Sequence, residues 1–224
     1  MFRRVSALLT ALPLLAACSG GSHPHTTVAT PSDTLAELAA KGAAAAYTAT
    51  YAFHQMSPDT TATVQVWHAE PSLRVDVVVG GRTATLLTTS AGTYSCSING
   101  STRSCLLVAS AGAPVPAPFD VAPASLFSAD LKALATQTTA YDVRSAPAIA
   151  AAAGVPAAQC FDVTGRASVP TAQVPAGRYC LTGSGLLAAA TYPSGNTVRL
   201  TAVTMSTPAA VQFAPYAKPT PLPS

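Results

Sequence analysis

Between residues 47 and 108, turn residues separate six short runs, and in four of these runs mostly apolar side chains recur at every second position. A period of two is that of a β-strand with one buried face, and runs spaced about 10 residues apart are typical of hairpin-connected strands. The predicted strands cover residues 47–53, 63–68, 73–79, 82–89, 93–98 and 103–108. This region is therefore predicted to form a six-stranded antiparallel meander.

Helical patterns precede and follow the meander. Residues 32–46 follow Thr30, a candidate N-cap, and Pro31, which suits the first helical position. Residues 125–136 carry a second apolar stripe. The Ala-rich stretch 146–157, bracketed by Pro147 and Pro156, fits either a short helix or a loop. Five more strands are predicted over 139–145, 160–164, 178–182, 186–192 and 197–205.

A sheet with one polar face needs an apolar layer over its other face, and the two helices are the large candidates for that layer. We therefore expect an α+β domain: a single strongly curved antiparallel sheet, a half-barrel of about 10–11 strands, with helices covering its concave face. Alanine supplies 47 of the 224 residues. Such small side chains would leave the concavity underfilled unless a ligand or further helices occupy it.

The N-terminus has the features of a bacterial lipoprotein signal. Arg3 and Arg4 precede an apolar stretch that is too short to span a bilayer, and the run Leu15-Ala16-Ala17-Cys18 resembles a lipobox. Small residues admit the chain to a signal peptidase, and the Cys18 thiol is the group that accepts the lipid, palmitate being an expected acyl chain. We expect Cys18 to become the lipidated N-terminus; an ordinary secretory signal with an incidental cysteine is the alternative.

The chain then divides into four regions by composition. Residues 1–17 are the predicted signal peptide, and residues 18–30 form a flexible tether rich in Ser, Gly, Thr, His and Pro. Residues 31–206 form the half-barrel domain. Residues 207–224 form a Pro-rich tail that is expected to be extended or loose. This order predicts a protein held by its lipid at the extracytoplasmic face of the cell membrane, in the cell envelope.

Four cysteines remain besides the lipobox cysteine, an even number in a chain predicted to be exported. Among the three possible connectivities, sequence spacing favours Cys96–Cys105 and Cys160–Cys180. Free thiols and a metal site are the alternatives. A metal site is disfavoured because no C-x-x-C spacing occurs and no histidine lies near any of the four.

The first cysteine pair also selects the register of its hairpin. A turn centred on Asn99-Gly100 would place the two thiols only diagonally. A turn centred on Gly100-Ser101 places Cys96 directly opposite Cys105, with Gly at the first central position as a type II′ turn requires. That register predicts three further pairs, Asn99 with Thr102, Ile98 with Arg103, and Tyr94 with Leu107.

Charge and hydropathy exclude two classes of protein. The chain has 12 basic and 9 acidic residues, and loss of Arg3 and Arg4 with the signal would leave a net charge of +1. No basic run is present, which excludes a nucleic-acid binder. No apolar stretch reaches about 18 residues, which excludes a polytopic membrane protein. A nearly neutral surface fits an apolar ligand.

Motifs for catalysis are missing from the sequence. It contains no G-x-S-x-G, H-E-x-x-H, EF-hand loop, phosphate loop or dinucleotide fingerprint. His54 and His68 lack companions that would make them catalytic or metal-binding. Arg74 and Asp76 are interpreted as a surface ion pair. We therefore predict no catalytic residues, no metal and no cofactor, and a protein that is not an enzyme.

The order of helix, meander, helix and strands resembles the half-barrel of bacterial lipoprotein carriers, the LolA/LolB-like proteins, and most of all the actinobacterial LppX/LprG-type lipoproteins. Four pieces carry the resemblance: the lipobox Cys18; the strand pair over 61–79, where Val64 to Asp76 contains the Pro-then-Arg strand turn; residues 178–204, which resemble the final strands; and residues 211–215, which resemble the closing segment.

The resemblance implies that the concave face binds acyl chains or glycolipids. The residues predicted to line that face are Tyr51, Phe53, Val64, Val66, Val75, Val77, Phe127 and Leu131. We expect a monomeric, membrane-anchored, non-enzymatic carrier or binder of a lipid or other hydrophobic molecule. The alternative is a structural or protein-interaction lipoprotein whose concavity is filled by its own side chains.

Overall fold

The computed structural model describes residues 29–119, 123–169 and 174–222. The predicted signal peptide, Cys18 and most of the tether lie outside the described residues. The helices are α1 (Pro31–Ala44) and α2 (Ala129–Thr136). The strands are β1 (Tyr47–Met56), β2 (Asp59–Ala69), β3 (Ser72–Val79), β4 (Arg82–Thr89), β5 (Gly92–Asn99), β6 (Thr102–Ala109), β7 (Tyr141–Ile149), β8 (Ala158–Gly165), β9 (Gly177–Thr182), β10 (Leu187–Thr191), β11 (Thr197–Thr204) and β12 (Thr220–Pro221).

Within the described ranges the strands form one twelve-stranded sheet in the order β12-β6-β5-β4-β3-β2-β1-β11-β10-β9-β8-β7. All neighbours are antiparallel except the two-residue β12, which pairs with β6 in parallel. The six-stranded meander is confirmed, because β1 to β6 pair in sequence order. The long strands number eleven, the upper value expected, and β12 adds a short twelfth.

Both helices pack on one face of the sheet, and their apolar residues join the inward strand residues in one core. The face that carries the helices is the concave face of the half-barrel, and we call the opposite one the outer face. The predicted fold class is confirmed. Neither described helix is long and apolar enough to cross a membrane.

Helix α1 begins where the sequence predicts. The Thr30 hydroxyl accepts a hydrogen bond from the Asp33 backbone N–H at 3.2 Å, and the Asp33 carboxylate accepts one from the Thr30 backbone N–H at 3.1 Å. This reciprocal capping satisfies two backbone donors that a helix start leaves unpaired. Leu35, Leu38 and Ala39 are buried against the sheet and α2.

Both disulfides are present, Cys96–Cys105 and Cys160–Cys180, and each joins residues that lie directly opposite on neighbouring strands. The Cα atoms of each pair lie 4.0 Å apart. The predicted register of the β5–β6 hairpin is confirmed, with the pairs Asn99–Thr102, Ile98–Arg103 and Tyr94–Leu107 around a Gly100-Ser101 turn.

Two segments differ from the predictions. The single helix over 125–136 is wrong: a 3₁₀ turn (Ala124–Phe127) precedes α2, and Ser128 between them has non-helical dihedrals. The short-helix reading of residues 146–157 is also wrong, since β7 continues to Ile149 and a loop follows. Strand β7 is an edge of the sheet, so Pro147, which has no N–H, is tolerated there.

The tail was expected to be extended or loose, and the structure docks part of it on the sheet, whereas the Arg74–Asp76 pair differs from expectation. Residues 210–222, which we call the C-terminal strap, are not loose: a 3₁₀ turn (Ala210–Phe213) contacts β3 and β4, and β12 pairs with β6. Arg74 and Asp76 form an ion pair at 2.7 Å with only 11% and 7% of their side chains exposed, so the surface-pair interpretation is wrong. Alternation along β3 places both on the outer face, where Tyr216 of the strap covers them.

Candidate ligand-binding site

The structure brings the eight residues predicted to bind a ligand into one apolar cluster on the concave face. Strand register explains this, because Tyr51 of β1 pairs with Val64 of β2, and Val64 pairs with Val77 of β3. Directly opposite residues of an antiparallel sheet point to the same face, so each such row is continuous across the strands. The row next to it adds Val66 and Val75.

Helical residues close most of this cluster. The ring of Phe127 lies against the ring of Tyr51 with 4.7 Å between centroids, and Leu131 of α2 is also buried. Six of the eight residues are at most 3% exposed, whereas Phe53 and Val77 reach 8%. The middle of the concave face is therefore packed with the chain's own side chains, and access is left toward its rim.

The hydroxyl group of Tyr51 is buried in this cluster without a hydrogen-bond partner among the described residues. Burial, and to a lesser degree the neighbouring Tyr47, raises the pKa of Tyr51 well above its ordinary value, so the phenol is neutral. An unpaired buried hydroxyl is unfavourable by about 1–3 kcal/mol, and buried side-chain polar groups are usually paired. Among the described residues, the hydroxyl oxygen of Tyr51 is thus a buried polar atom of the concave core whose hydrogen-bonding capacity is unused.

An open groove of about 770 Å³ lies at the rim formed by the turns of the meander. Its apolar residues include Val77, Val79 and Ala84, which continue the inward face of β3 and β4, and also Ile98 of β5. Its polar residues are Arg82, Thr83, Ser97 and Asn99. Ligand pockets in proteins range from about 300 to 1,000 Å³ and combine apolar walls with a few polar groups. This groove has both the size and the composition of such a site.

A second cleft of about 360 Å³ opens at Phe53. Leu126 of the 3₁₀ turn, Pro175, Tyr192 and the buried Asp130 of α2 lie around it. Burial, with the negative charge of Asp130 adding to it, raises the pKa of Tyr192. The two least buried of the predicted ligand residues, Phe53 and Val77, therefore each lie at an opening.

The site offers little for catalysis or metal binding. Arg82 is the one charged residue in the lining of the larger groove. His68 is satisfied by the Ala45 carbonyl at 2.6 Å, and His54 contacts Asp59 at the exposed β1–β2 turn. No group of three or more His, Cys, Asp or Glu residues is placed to hold a metal within the part of the chain that the structure describes.

Sequence reasoning did not identify Val79, Arg82, Ala84, Ser97 and Asn99 as lining residues. Val79 continues the alternation of Val75 and Val77, so the period alone could have added it. Ser97 and Asn99 are polar and belong to the groove only because β5 pairs with β4 in the observed register. No sequence pattern signals the unpaired hydroxyl of Tyr51, which depends on packing.

No family model matches the sequence, and a search of curated proteins finds none similar to it. Solved structures do match. MucB of Pseudomonas aeruginosa in its complex with MucA has a TM-score of 0.52 and 17% sequence identity, over 83% of this chain and 61% of that chain. A crystal structure of MucB and one of MucB with MucA(peri) have TM-scores of 0.51 and 16% identity, over 84% of this chain.

The chain spans about three fifths of the length of those MucB chains. At this identity the comparison concerns the fold, and the closer resemblance to actinobacterial LppX/LprG-type lipoproteins stays a prediction. The two disulfides agree with an extracytoplasmic location, where thiols are oxidised. The described domain thus has a LolA/LolB-like half-barrel fold, similar to that of MucB.

Proposed function

We propose that this protein is a non-enzymatic binder or carrier of a lipid or other hydrophobic molecule, anchored through a lipid on Cys18 to the extracytoplasmic face of the cell membrane. The ligand's apolar chain lies along Val77, Val79 and Ala84 in the rim groove. Its polar end meets the rim side chains, among them Arg82 and Asn99. No cofactor and no metal take part.

The groove of about 770 Å³ is the observation that carries this proposal. Val79 is 40% exposed there, although the valines before it on the same face are buried. Exposed apolar surface that continues a hydrophobic core is unfavourable in water, and a ligand's acyl chain would remove it from water at about 25 cal/mol per Å². The unpaired Tyr51 hydroxyl supports the same face.

A second candidate function is protein interaction by a half-barrel whose core is complete without a ligand. It is favoured by the burial of Val64, Val66 and Val75, none of which has exposed surface. A structurally similar protein, MucB, has been solved in complex with MucA. In this alternative the rim groove receives a side chain of the partner protein instead of a lipid.

A charged residue introduced into the rim groove distinguishes the lipid-binding function from the protein-interaction function. Val79→Asp is preferred to Val77→Asp, because Val77 is 8% exposed and its replacement threatens the core. We expect Val79→Asp to weaken binding of a dansyl-labelled fatty acid at least about tenfold, since it places a charged carboxylate where the apolar acyl chain would lie. Val211→Asp is the matched control, because Val211 is 71% exposed on the strap.

The readout is dansyl fluorescence on titration of the Cys18→Ser chain and its two variants. Unchanged Val211→Asp binding together with weakened Val79→Asp binding supports the lipid binder. Equal binding by both folded variants, or no saturable binding by the parent chain, overturns it in favour of protein interaction.

The anchor has its own test. Cys18→Ser in the full chain should move the protein from the membrane fraction to the soluble fraction, because two or more acyl chains are needed for stable attachment. A membrane fraction that is unchanged while the signal is still removed would contradict the lipid anchor.

A further inference from the structure

A cluster of hydrogen-bonded side chains on the outer face forms a second candidate site, separate from the concave face and the rim groove. Register places Trp67 of β2 opposite Arg74 of β3, and Asp76 of β3 opposite Thr85 of β4. Arg74 donates two hydrogen bonds to the Asp76 carboxylate, from Nε at 2.9 Å and Nη2 at 2.7 Å. The Thr85 hydroxyl donates a third to Asp76 at 2.7 Å.

Tyr216 of the C-terminal strap completes this site. Its hydroxyl donates to Asp76 Oδ2 at 2.7 Å, lies 2.7 Å from the Thr85 hydroxyl, and accepts a hydrogen bond from Arg74 Nη2. The Arg74 guanidinium lies over two rings, with its central carbon 4.8 Å from the Trp67 centroid and 4.5 Å from that of Tyr216. The phenol thus has both its donor and its acceptor function satisfied by groups that are themselves hydrogen-bonded.

The rest of the strap contributes backbone contacts. Arg74 Nη1 donates to the Gln212 carbonyl at 3.0 Å, and β12 pairs with the edge strand β6 through Thr220 and Pro221. These contacts hold a segment that runs from the 3₁₀ turn (Ala210–Phe213) to β12, with Pro215 directly before the tyrosine and Pro219 three residues after it.

In this contact the sheet residues are more deeply buried than the strap residues. Asp76 and Thr85 beneath the strap are 5% and 1% exposed, whereas no residue of the strap from Ala210 to Leu222 is fully buried. The strap therefore lies on the surface of the sheet as a bound peptide does. Its aromatic anchor, Tyr216, occupies a pocket formed by buried sheet residues. Aromatic anchors of this kind dominate the binding energy of peptide interfaces.

We propose that the outer face carries a peptide-binding site for a proline-flanked tyrosine segment, which the chain's own strap occupies and which such a segment of a partner protein occupies by displacing it. The site selects the neutral phenol. Phenylalanine lacks the hydroxyl that Asp76 binds, and phosphotyrosine would bring its negative charge against Asp76.

The strap then acts as a tethered competitor. A short flexible linker gives a tethered segment an effective concentration of about 1 mM, so a partner segment binds the intact chain more weakly than a chain whose strap has been detached. This mechanism limits binding in trans to partners that are themselves concentrated, for example by attachment to the same membrane.

The test detaches the strap after folding. A protease site inserted between the exposed residues Ser206 and Thr207 of the Cys18→Ser chain is cleaved in the folded protein, and a fluorescent peptide of residues 207–224 is titrated by anisotropy. We expect saturable binding to the cleaved protein and at least about tenfold weaker binding to the uncleaved one. The peptide with Tyr216→Phe should bind several-fold more weakly, and the phosphotyrosine peptide should not bind.

A protein variant pair checks the pocket itself. Asp76→Asn should weaken peptide binding, whereas Asp162→Asn should not. Asp162 also accepts two hydrogen bonds from an arginine, Arg178, but this pair is exposed, joins β8 to β9 and lies far from the strap. Retention of the cut strap on the folded protein with slow exchange for the labelled peptide also supports the site.

Three outcomes would overturn the proposal. One is a cleaved protein that stays folded by circular dichroism but neither retains its strap nor binds the peptide. Another is a cleaved protein that unfolds, because the strap is then part of the fold and not a ligand. The third is a concentration-dependent dimer of the uncleaved chain. It would mean that the strap of a second copy, and not a segment of a different protein, occupies the site.

Discussion

At the scale of single residues, the hydroxyl oxygen of Tyr51 determines how a substitution there should change stability. Its ring is well packed against Phe127, yet its hydroxyl has no partner in the described part of the chain. Removing an unpaired buried hydroxyl relieves its desolvation while keeping the ring contacts. Tyr179 is the natural contrast, because its hydroxyl donates to the Pro175 carbonyl at 2.7 Å.

Tyr51→Phe is therefore expected to raise the free energy of unfolding by about 1 kcal/mol, and Tyr179→Phe to lower it by about 1 kcal/mol. Urea unfolding of the ligand-free Cys18→Ser chain measures both. A destabilised Tyr51→Phe variant would show that the hydroxyl is hydrogen-bonded in solution and would remove it from the argument for the site.

At Gly42, the addition of one Cβ atom should determine how a substitution changes stability. A helix interior normally gains about 1 kcal/mol from Gly→Ala. Here a Cβ on Gly42 would lie 2.1 Å from the carbonyl oxygen of Gly185, a backbone atom that has no rotamer through which to move away. Gly42 is thus required for α1 to approach the turn before β10.

We predict that Gly42→Ala lowers the free energy of unfolding by about 1–3 kcal/mol, against the helix-propensity trend. Gly183→Ala is the control, because a Cβ there meets no atom within 4 Å, and its effect should be small. Thermal unfolding of both variants tests this. A stabilised Gly42→Ala variant would contradict the close backbone approach.

At the scale of elements, local patterns predicted most strands because alternation and turns are read from neighbouring residues. The β5–β6 register followed from the requirement that Cys96 and Cys105 meet. The break at Ser128 was also missed. The burial of Arg74 and Asp76 was missed because it depends on Tyr216, which is distant in sequence. The strap was missed for the same reason: proline content alone does not indicate a docking surface for Tyr216.

The two disulfides stabilise hairpins of different size, so their removal should differ. In the chain-entropy model, loss of Cys96–Cys105 costs about 2.7 kcal/mol and loss of Cys160–Cys180 about 3.3 kcal/mol. Double Cys→Ala variants, compared by urea unfolding, should therefore rank with the second pair as the larger loss. No loss for either pair would show that the bridges are not formed in the folded protein.

Docking of the strap should depend on pH in the alkaline range. Burial, above all, raises the pKa of Tyr216 to about 12 from its ordinary value near 10. Because the neutral phenol is favoured in the docked state, the stabilisation is complete below about pH 10 and is lost as pH rises through about 12.

Trp67 reports this change, since it is the one tryptophan in the chain and stacks on the same Arg74. We expect its fluorescence to show a transition between about pH 10 and 12 that is missing in Tyr216→Phe. The same transition in both proteins would contradict release of the strap.

At the scale of the whole molecule, the sheet presents two faces with different roles. The concave face carries helices, an apolar core and the rim groove; the outer face carries the strap. Sequence alone predicted the curved sheet and its helical layer, and the eight residues it assigned to the concave face lie in the apolar cluster. It did not predict where the cluster stays open, because that depends on how far α2 and the turn before it reach across the sheet.

The central claim is that the rim groove holds a hydrophobic ligand, and native mass spectrometry of the Cys18→Ser chain tests it most directly. The account predicts a species heavier by the mass of one lipid, kept in Val211→Asp and lost in Val79→Asp. Only the unliganded mass in all three proteins, even after incubation with a total lipid extract, would contradict it.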